Sequence, residues 1–189
     1  GSGNDALVGG EGDDVCRVTG GKIAGKTKGP CFEGWDSYDG GAGNDRIVAL
    51  GGKVDIGLTG FGAANGVETI DATGASGPVR LLGDWNANVL DFSGVTITGN
   101  VVIDGGGGDD TITGSAGDDT IVGGDWGNQL IDGGAGNDTL SAGKGNDSVF
   151  GGEGDDVFRV GGFKEGKKQF QFEGWDSYDG GAGNDRIVA

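Results

Sequence analysis

Residues 105–159 read, in blocks, GGGGDDTIT, GSAGDDTIV, GGDWGNQLID, GGAGNDTLS, AGKGNDSVF and GGEGDDVFR. Each block opens on a glycine-rich turn and carries an aliphatic or aromatic residue at its eighth position, all but the third place an aspartate at the sixth, where the third has Gln129, and the pattern repeats after nine residues, with one residue inserted near Trp126. Such a block divides into a six-residue turn and a three-residue strand, x-U-x. Side chains alternate across a strand, so Ile112, Ile121, Ile131, Leu140, Val149 and Phe158 are expected to point inward while Thr, Ser and Arg face water. Two blocks make one coil, and turns on the same edge stack at roughly 4.8 Å, the spacing of neighbouring strands. The expected fold is all-β: a parallel β-roll, or β-solenoid, with two nonapeptides per coil.

Composition agrees with that expectation. The chain has 189 residues, of which 48 are glycine, about a quarter against the roughly 7% of an average protein. Interior glycines cost a helix on the order of 1 kcal/mol each relative to alanine, and none of the longer stretches is free of them. The glycines do not fall every third residue and only Pro30 and Pro78 are present, which excludes collagen. A net charge of −17 would suit a disordered chain, yet apolar residues recur at fixed places, so order is expected once the acid is neutralised. Thirty acidic against thirteen basic residues argue against a nucleic-acid partner, and a divalent cation is the natural counterion. No apolar run approaches the roughly 18 residues of a membrane span and no basic-then-apolar leader opens the chain. With no Met anywhere, the chain reads as an excerpt from a longer polypeptide.

Aligned against itself, the chain shows a second, longer period. Residues 143–159, GKGNDSVFGGEGDDVFR, match 1–17, GSGNDALVGGEGDDVCR, and FEGWDSYDGGAGNDRIVA stands at both 32–49 and 172–189. A unit of about 140 residues, followed by the start of the next, is the simplest description, and a tandem array is the simplest parent. Three regions follow: 1–49, β-roll coils with a looped-out insertion at 18–38; 50–103, a degenerate solenoid with few or no metal sites; and 104–189, β-roll with a looped-out insertion at 160–178. Trp35, Tyr38, Trp175 and Tyr178 are expected to cap the core beside the insertions.

The turns suit one metal. Glycines allow positive φ and leave carbonyl oxygens pointing into the gap between stacked turns. Carboxylates from two turns 18 residues apart, joined by backbone carbonyls, supply the six to eight hard oxygens that calcium prefers. The absence of His, with only two Cys, removes the usual ligands of zinc and copper. As mere turn formers the aspartates would form a stacked row of uncompensated charge, which repels.

The chain thus resembles the RTX family, whose GG-x-G-x-D-x-U-x nonapeptide binds calcium; this repeat is itself a standard example of the class. The resemblance implies, by position, that Asp5, Asp14, Asp45, Asp110, Asp119, Asp138, Asp147, Asp156 and Asp185 are ligands. Carbonyls would come from Gly10, Gly12, Gly41, Gly43, Gly106, Gly108, Gly134, Gly136, Gly143, Gly145, Gly152, Gly154, Gly181 and Gly183. Glu68, Asn88 and Gln129 keep the beat but depart from the pattern, so sites using them should be weak or empty. Asp13, Asp109, Asp118 and Asp155, one residue earlier, are expected to face solvent. Calcium that binds the coil and not the open chain adds RT ln(1 + [Ca]/Kd) to stability, which would postpone folding until export.

Three further motifs carry less. GGKIAGKT at 20–27 fits the P-loop pattern, but Gly29 and Pro30 follow where a helix must begin, so no nucleotide is expected. Cys16 and Cys31 are either a small buried hydrophobe with a bystander or a disulfide tethering the insertion, and an oxidising setting favours the second. Asn137 and Asn146 meet the glycosylation pattern only because the repeat generates it. Without histidine, and with the carboxylates committed to metal, no catalytic site and no enzyme are expected. The resemblance implies a calcium-dependent structural module, extender or fibre, of a large secreted or surface-attached bacterial adhesin or matrix protein. The alternatives are the export and folding module of an RTX enzyme or toxin, and a self-assembling filament or surface layer in which neighbouring copies of the unit join end to end.

Overall fold

A computed structural model describes residues 6–20, 31–124, 126–160 and 174–188. Because the strands are the arms of glycine-rich turns, the described residues form eighteen strands, most of them brief. In chain order they are β1 (Ala6–Glu11), β2 (Val15–Gly20), β3 (Cys31–Ala42), β4 (Arg46–Gly51), β5 (Val54–Leu58), β6 (Thr69–Ala75), β7 (Val79–Gly83), β8 (Val89–Asp91) and β9 (Thr96–Thr98). They continue as β10 (Val101–Asp104), β11 (Thr111–Thr113), β12 (Thr120–Val122), β13 (Leu130–Ala135), β14 (Thr139–Ser141), β15 (Ser148–Glu153), β16 (Val157–Arg159), β17 (Ser177–Ala182) and β18 (Arg186–Val188). All pairings between strands are parallel, and successive strands alternate between faces, as expected of a β-roll. One nine-stranded sheet runs the whole length, β1-β3-β5-β7-β10-β12-β14-β16-β18. Opposite it lie a four-stranded sheet, β2-β4-β6-β9, and a five-stranded sheet, β17-β15-β13-β11-β8.

In the C-terminal half one coil takes 18 or 19 residues: Ile103 pairs with Ile121, Ile121 with Leu140 and Leu140 with Phe158 on one face, and Ile112 with Ile131 and Ile131 with Val149 on the other. The six residues expected to point inward are all at most 2% exposed. Each is a burial on the order of 1.5–3 kcal/mol relative to an exposed side chain, and together they form a continuous column.

The middle differs from a plain roll. There the second and third sheets coexist: β7 is followed by β8 on the five-stranded face and β9 on the four-stranded face before the chain returns to β10. The coil before it does the same, because Phe61 bridges to Leu90 of β8 between β5 and β6. These two coils are therefore three-sided. A wider cross-section needs larger filling, and Phe61 and Phe92 stack inside it at 4.9 Å with Val67 and Val95 beside them in the core. The roll enters this region with one back face and leaves it with another.

The insertions expected at 18–38 and 160–178 are narrower. β2 runs on to Gly20 and β3 occupies 31–42, while β17 begins at Ser177; what remains, 21–30 and 161–173, lies outside the described residues, as does the P-loop-like string apart from its first residue. Tyr38 does not cap the roll. It stacks on Leu7 in the inward column and is 4% exposed, and Tyr178 stands on Val149 in the same way. Trp175 is 80% exposed.

Candidate metal centres

The coil spacing aligns the sixth residues of successive turns into columns. On one corner of the C-terminal half stand Asp119, Asp138, Asp156 and Asp185; the backbone N–H of each donates to Oδ1 of the next, at 2.9, 2.8 and 3.0 Å. On the other corner stand Asn88, Asp110, Gln129, Asp147 and Asp176, joined in the same way at 2.8, 3.0, 2.7 and 3.2 Å. Near the N-terminus Asp14, Asp45 and Glu68 form a third column at 2.7 Å per step. Glu68, Asn88 and Gln129 thus keep the ladder although they change its charge. Asp5 lies outside the described residues.

One oxygen of each aspartate serves this ladder, and the other is left over. The Oδ2 atoms of Asp14, Asp45, Asp110, Asp138, Asp147 and Asp156 are buried with no hydrogen-bond partner among the described residues. Burying a carboxylate oxygen without a donor or cation is strongly unfavourable. Burial accordingly lifts the Asp138 carboxyl to about 7 and that of Asp110 to about 6, and also raises Asp119, Asp147 and Asp156. The exposed Asp155, held by the backbone N–H and amide of Asn184, is shifted down instead.

Backbone carbonyls meet these oxygens. A Cβ placed on Gly133 would collide with both Asp138 Oδ2 and the Gly151 carbonyl, and one on Gly151 with Asp156 Oδ2 and the Gly180 carbonyl. Gly9, Gly40, Gly105 and Gly114 occupy the same place against Asp14, Asp45, Asp110 and Asp119. Beside Asp14, Asp110, Asp138 and Asp156 that oxygen is the carbonyl of the first glycine of the next coil's turn, which the sequence reading did not single out; beside Asp45 it is the Gly66 carbonyl. The second and fourth glycines are needed for the stacking itself. Gly152 and Gly154 have φ of 103° and 128°, and a Cβ on either would strike the carbonyl of Gly134 or Gly136 in the turn below. The other twelve glycines expected as ligands share positive φ.

Hard oxygens only, with a formal negative charge and carbonyl dipoles between coils, fit calcium. Among the described residues no three acidic, cysteine or histidine side chains converge on one point, so carbonyls must complete any coordination shell. Asp119 departs from the pattern. Its Oδ2 accepts the N–H and hydroxyl of Ser115 at 2.6 and 2.9 Å, because serine stands where the other turns have a glycine.

Asp176 is a member of its column that the sequence reading did not pick out. Asp176 follows Gly174, whose φ is 143°, and precedes Asp185 by nine residues; that spacing was the available signal, hidden because the leading glycine pair is absent. The Asp176 and Asp36 Oδ2 atoms accept the hydroxyls of Tyr178 and Tyr38.

The residues before the ligand position face solvent and build a second ladder in the opposite sense. Oδ1 of Asp118 accepts the N–H of Asn137, Oδ1 of Asn137 that of Asp155, and Oδ1 of Asp155 that of Asn184, at 2.8–2.9 Å. Asp109, Asn128, Asn146 and Trp175 repeat this on the other corner, and Asp13 accepts from Asn44. A single acceptor oxygen suffices, hence the free exchange of Asp and Asn.

The family model for the RTX calcium-binding nonapeptide repeat (4 copies) matches residues 1–21, 32–53, 98–121, 123–158 and 172–189, more than half of the chain. The chain belongs to the RTX calcium-binding repeat family. No curated protein matches it. The longest stretch that the RTX model leaves out, 54–97, coincides with the three-sided coils. There Val54 and Val79, with Val101 just beyond, stack in register at the place of the aspartates. Side-chain cations join the coils in this part: Arg80 holds Asp55 of the preceding coil through two bonds of 2.8 and 3.1 Å and Asp104 of the following coil at 3.3 Å, and Lys53 Nζ lies 3.6 Å from Asp55.

Cys16 is a free thiol, so the expected bond to Cys31 is not formed. Cys16 stacks on Ile47 in the four-stranded sheet and packs against the core, which raises its pKa by burial first and by Asp36 second. Cys31 begins β3 in the nine-stranded sheet, and its side chain lies outside the described residues. No helix among the described residues is long and apolar enough to cross a membrane.

Proposed function

We propose that this RTX module is a calcium-dependent structural segment, an extender or fibre, of a large repetitive protein secreted by a bacterium, with no enzymatic activity of its own. The observation that carries the reading is the set of six buried carboxylate oxygens without hydrogen-bond partners, repeated at coil spacing. Asp14, Asp45, Asp110, Asp138, Asp147 and Asp156 would hold the ions with carbonyls of the stacked turns. A bound ion supplies positive charge between two coils that would otherwise repel. Folding then follows external calcium, since calcium modules of the outside world bind at about 10⁻⁴ to 10⁻³ M, far above cytosolic levels. The duplicated blocks at 1–17 and 143–159 favour an array of units over a short export module behind an enzyme or toxin.

Circular dichroism and calorimetry with EGTA and with millimolar calcium test the reading. Calcium should raise the β-content and the melting temperature together, with uptake of several ions. Equal β-content and melting temperature in both conditions would refute it.

A further inference from the structure

Residues 32–49 and 172–189 are the same eighteen-residue string, met once inside the roll and once at its C-terminal edge. Ile47 is 1% exposed and its copy Ile187 is 60% exposed; Tyr38 is buried and Tyr178 is not; Asp45 is buried and Asp185 only half-buried. The structure itself identifies what covers the first copy. β5 pairs with β3 and β6 with β4, Ile70 lying on Ile47. The Asp45 N–H donates to Glu68 Oε2 at 2.7 Å, and the Asn65 amide reaches the Tyr38 carbonyl.

We infer that the edge formed by β17 and β18 is a docking surface for a second copy of this chain's own 50–103 segment, joined coil on coil with no spacer. The inference rests on reading the chain as one segment of a calcium-held array. Ile187 receives the next copy's Ile70, and the Asp185 N–H receives its Glu68. The sheets change roles at this joint. β3 belongs to the nine-stranded sheet, but its copy β17 ends the five-stranded one; β4 belongs to the four-stranded sheet, but its copy β18 ends the nine-stranded one. The incoming β5 therefore prolongs the five-stranded sheet into the next long face. The incoming β6 and β9 close the present long face. Every unit hands its faces on by one step around the axis.

The test is an extended chain in which a second copy of 50–189 follows Ala189 directly, with Cys16→Phe and Cys31→Gln, the residues at the corresponding places of the second block, and Ile187→Cys as the sole thiol. Alkylation of that thiol in calcium should slow by roughly 100-fold or more relative to the 189-residue chain carrying the same changes, since reaction then needs local opening of a packed coil. X-ray scattering should give one rigid rod, longer by roughly 34 Å, because β5 to β18 add seven strands to the stack at ~4.8 Å each. A shorter extension of 50–104 alone should protect the thiol equally. Equal alkylation of extended and original chains that both take up calcium overturns the docking and leaves the calcium reading intact. Protection without any calcium uptake upholds the docking and overturns the calcium reading.

Discussion

The backbone N–H of Asp138 donates to Oδ1 of Asp156 at 2.8 Å, across one coil of 18 residues, and the Oδ2 atoms of both stay buried with no partner among the described residues. One carboxylate thus performs two tasks. Its first oxygen sets the register of the coil, and its second presents charge to the gap between coils. The two can be separated by substitution.

Asp138→Asn keeps a carbonyl oxygen for the Asp119 N–H and removes the charge. The metal-free protein should melt higher than the parent, and the gain from calcium should shrink. A site at calcium ten times its Kd adds about 1.4 kcal/mol, so the calcium-induced rise in stability should fall by about that amount in paired thermal melts, with one fewer ion by calorimetry.

Acid should partly replace calcium. An aspartate in an unfolded chain titrates near 3.9, whereas in the roll Asp110 titrates at about 6 and Asp138 at about 7. Between those values the folded state binds more protons than the unfolded, so metal-free stability is greatest below about pH 4 and declines as pH rises through 6 and 7. Melts in the absence of metal should show this decline, while calcium affinity rises over the same range because protons compete for the same oxygens. A metal-free stability that increases from pH 4 to 7 would contradict the burial of these carboxylates.

Gly152→Ala introduces a side chain at a φ of 103° and against the Gly134 carbonyl. The conformational part alone costs about 1 kcal/mol, and the collision adds to it. Both the metal-free and calcium-loaded melts should drop, in contrast to Asp138→Asn. An alanine at the exposed Gly117, whose added Cβ would find only the Ser115 hydroxyl at van der Waals distance, should be nearly neutral.

Arg80→Gln removes the cation that links Asp55 and Asp104 across the middle coils. Asp55 is 3% exposed and would lose both of its charged hydrogen bonds, a loss of about 2 kcal/mol. Chemical denaturation should give the same decrease with and without calcium, because on the face that carries Arg80 the aspartate positions of these coils hold valine.

Ser115→Gly removes the hydroxyl that donates to Oδ2 of Asp119 and leaves only the backbone N–H of residue 115 against it. Calcium titration of this variant should reveal one additional site, or one tightened by roughly tenfold, as expected when a competing hydrogen bond to a charged group is removed.

The nine-residue beat made much of this architecture legible. Fixed spacing of the eighth residue gave the inward column from Ile112 to Phe158, and fixed spacing of the sixth gave most of the aspartate columns. The beat fails where it stops being local. Asp176 sits in its column without the glycine pair that marks the others, and only its distance from Asp185 gives it away. The third side of the middle coils depends on Phe61 meeting Leu90, residues from different coils with no shared motif. The second and fourth glycines stand out in the sequence because backbone conformation demands glycine there; the carbonyl beside Asp14, Asp110, Asp138 and Asp156 belongs to the first glycine of the neighbouring turn, a relation between coils rather than within one.

A plank splits along its grain when one plane runs from end to end. In a rod assembled from these units no such plane persists: β9 ends one back face while β8 has already begun another beside it. Overlapping courses of this kind, as in bricklaying, leave a crack nowhere straight to travel, and where the courses overlap Arg80 and the stacked Phe61 and Phe92 join the coils. Loss of calcium would loosen the stretches on either side and leave that bonded course standing as the template from which they rewind.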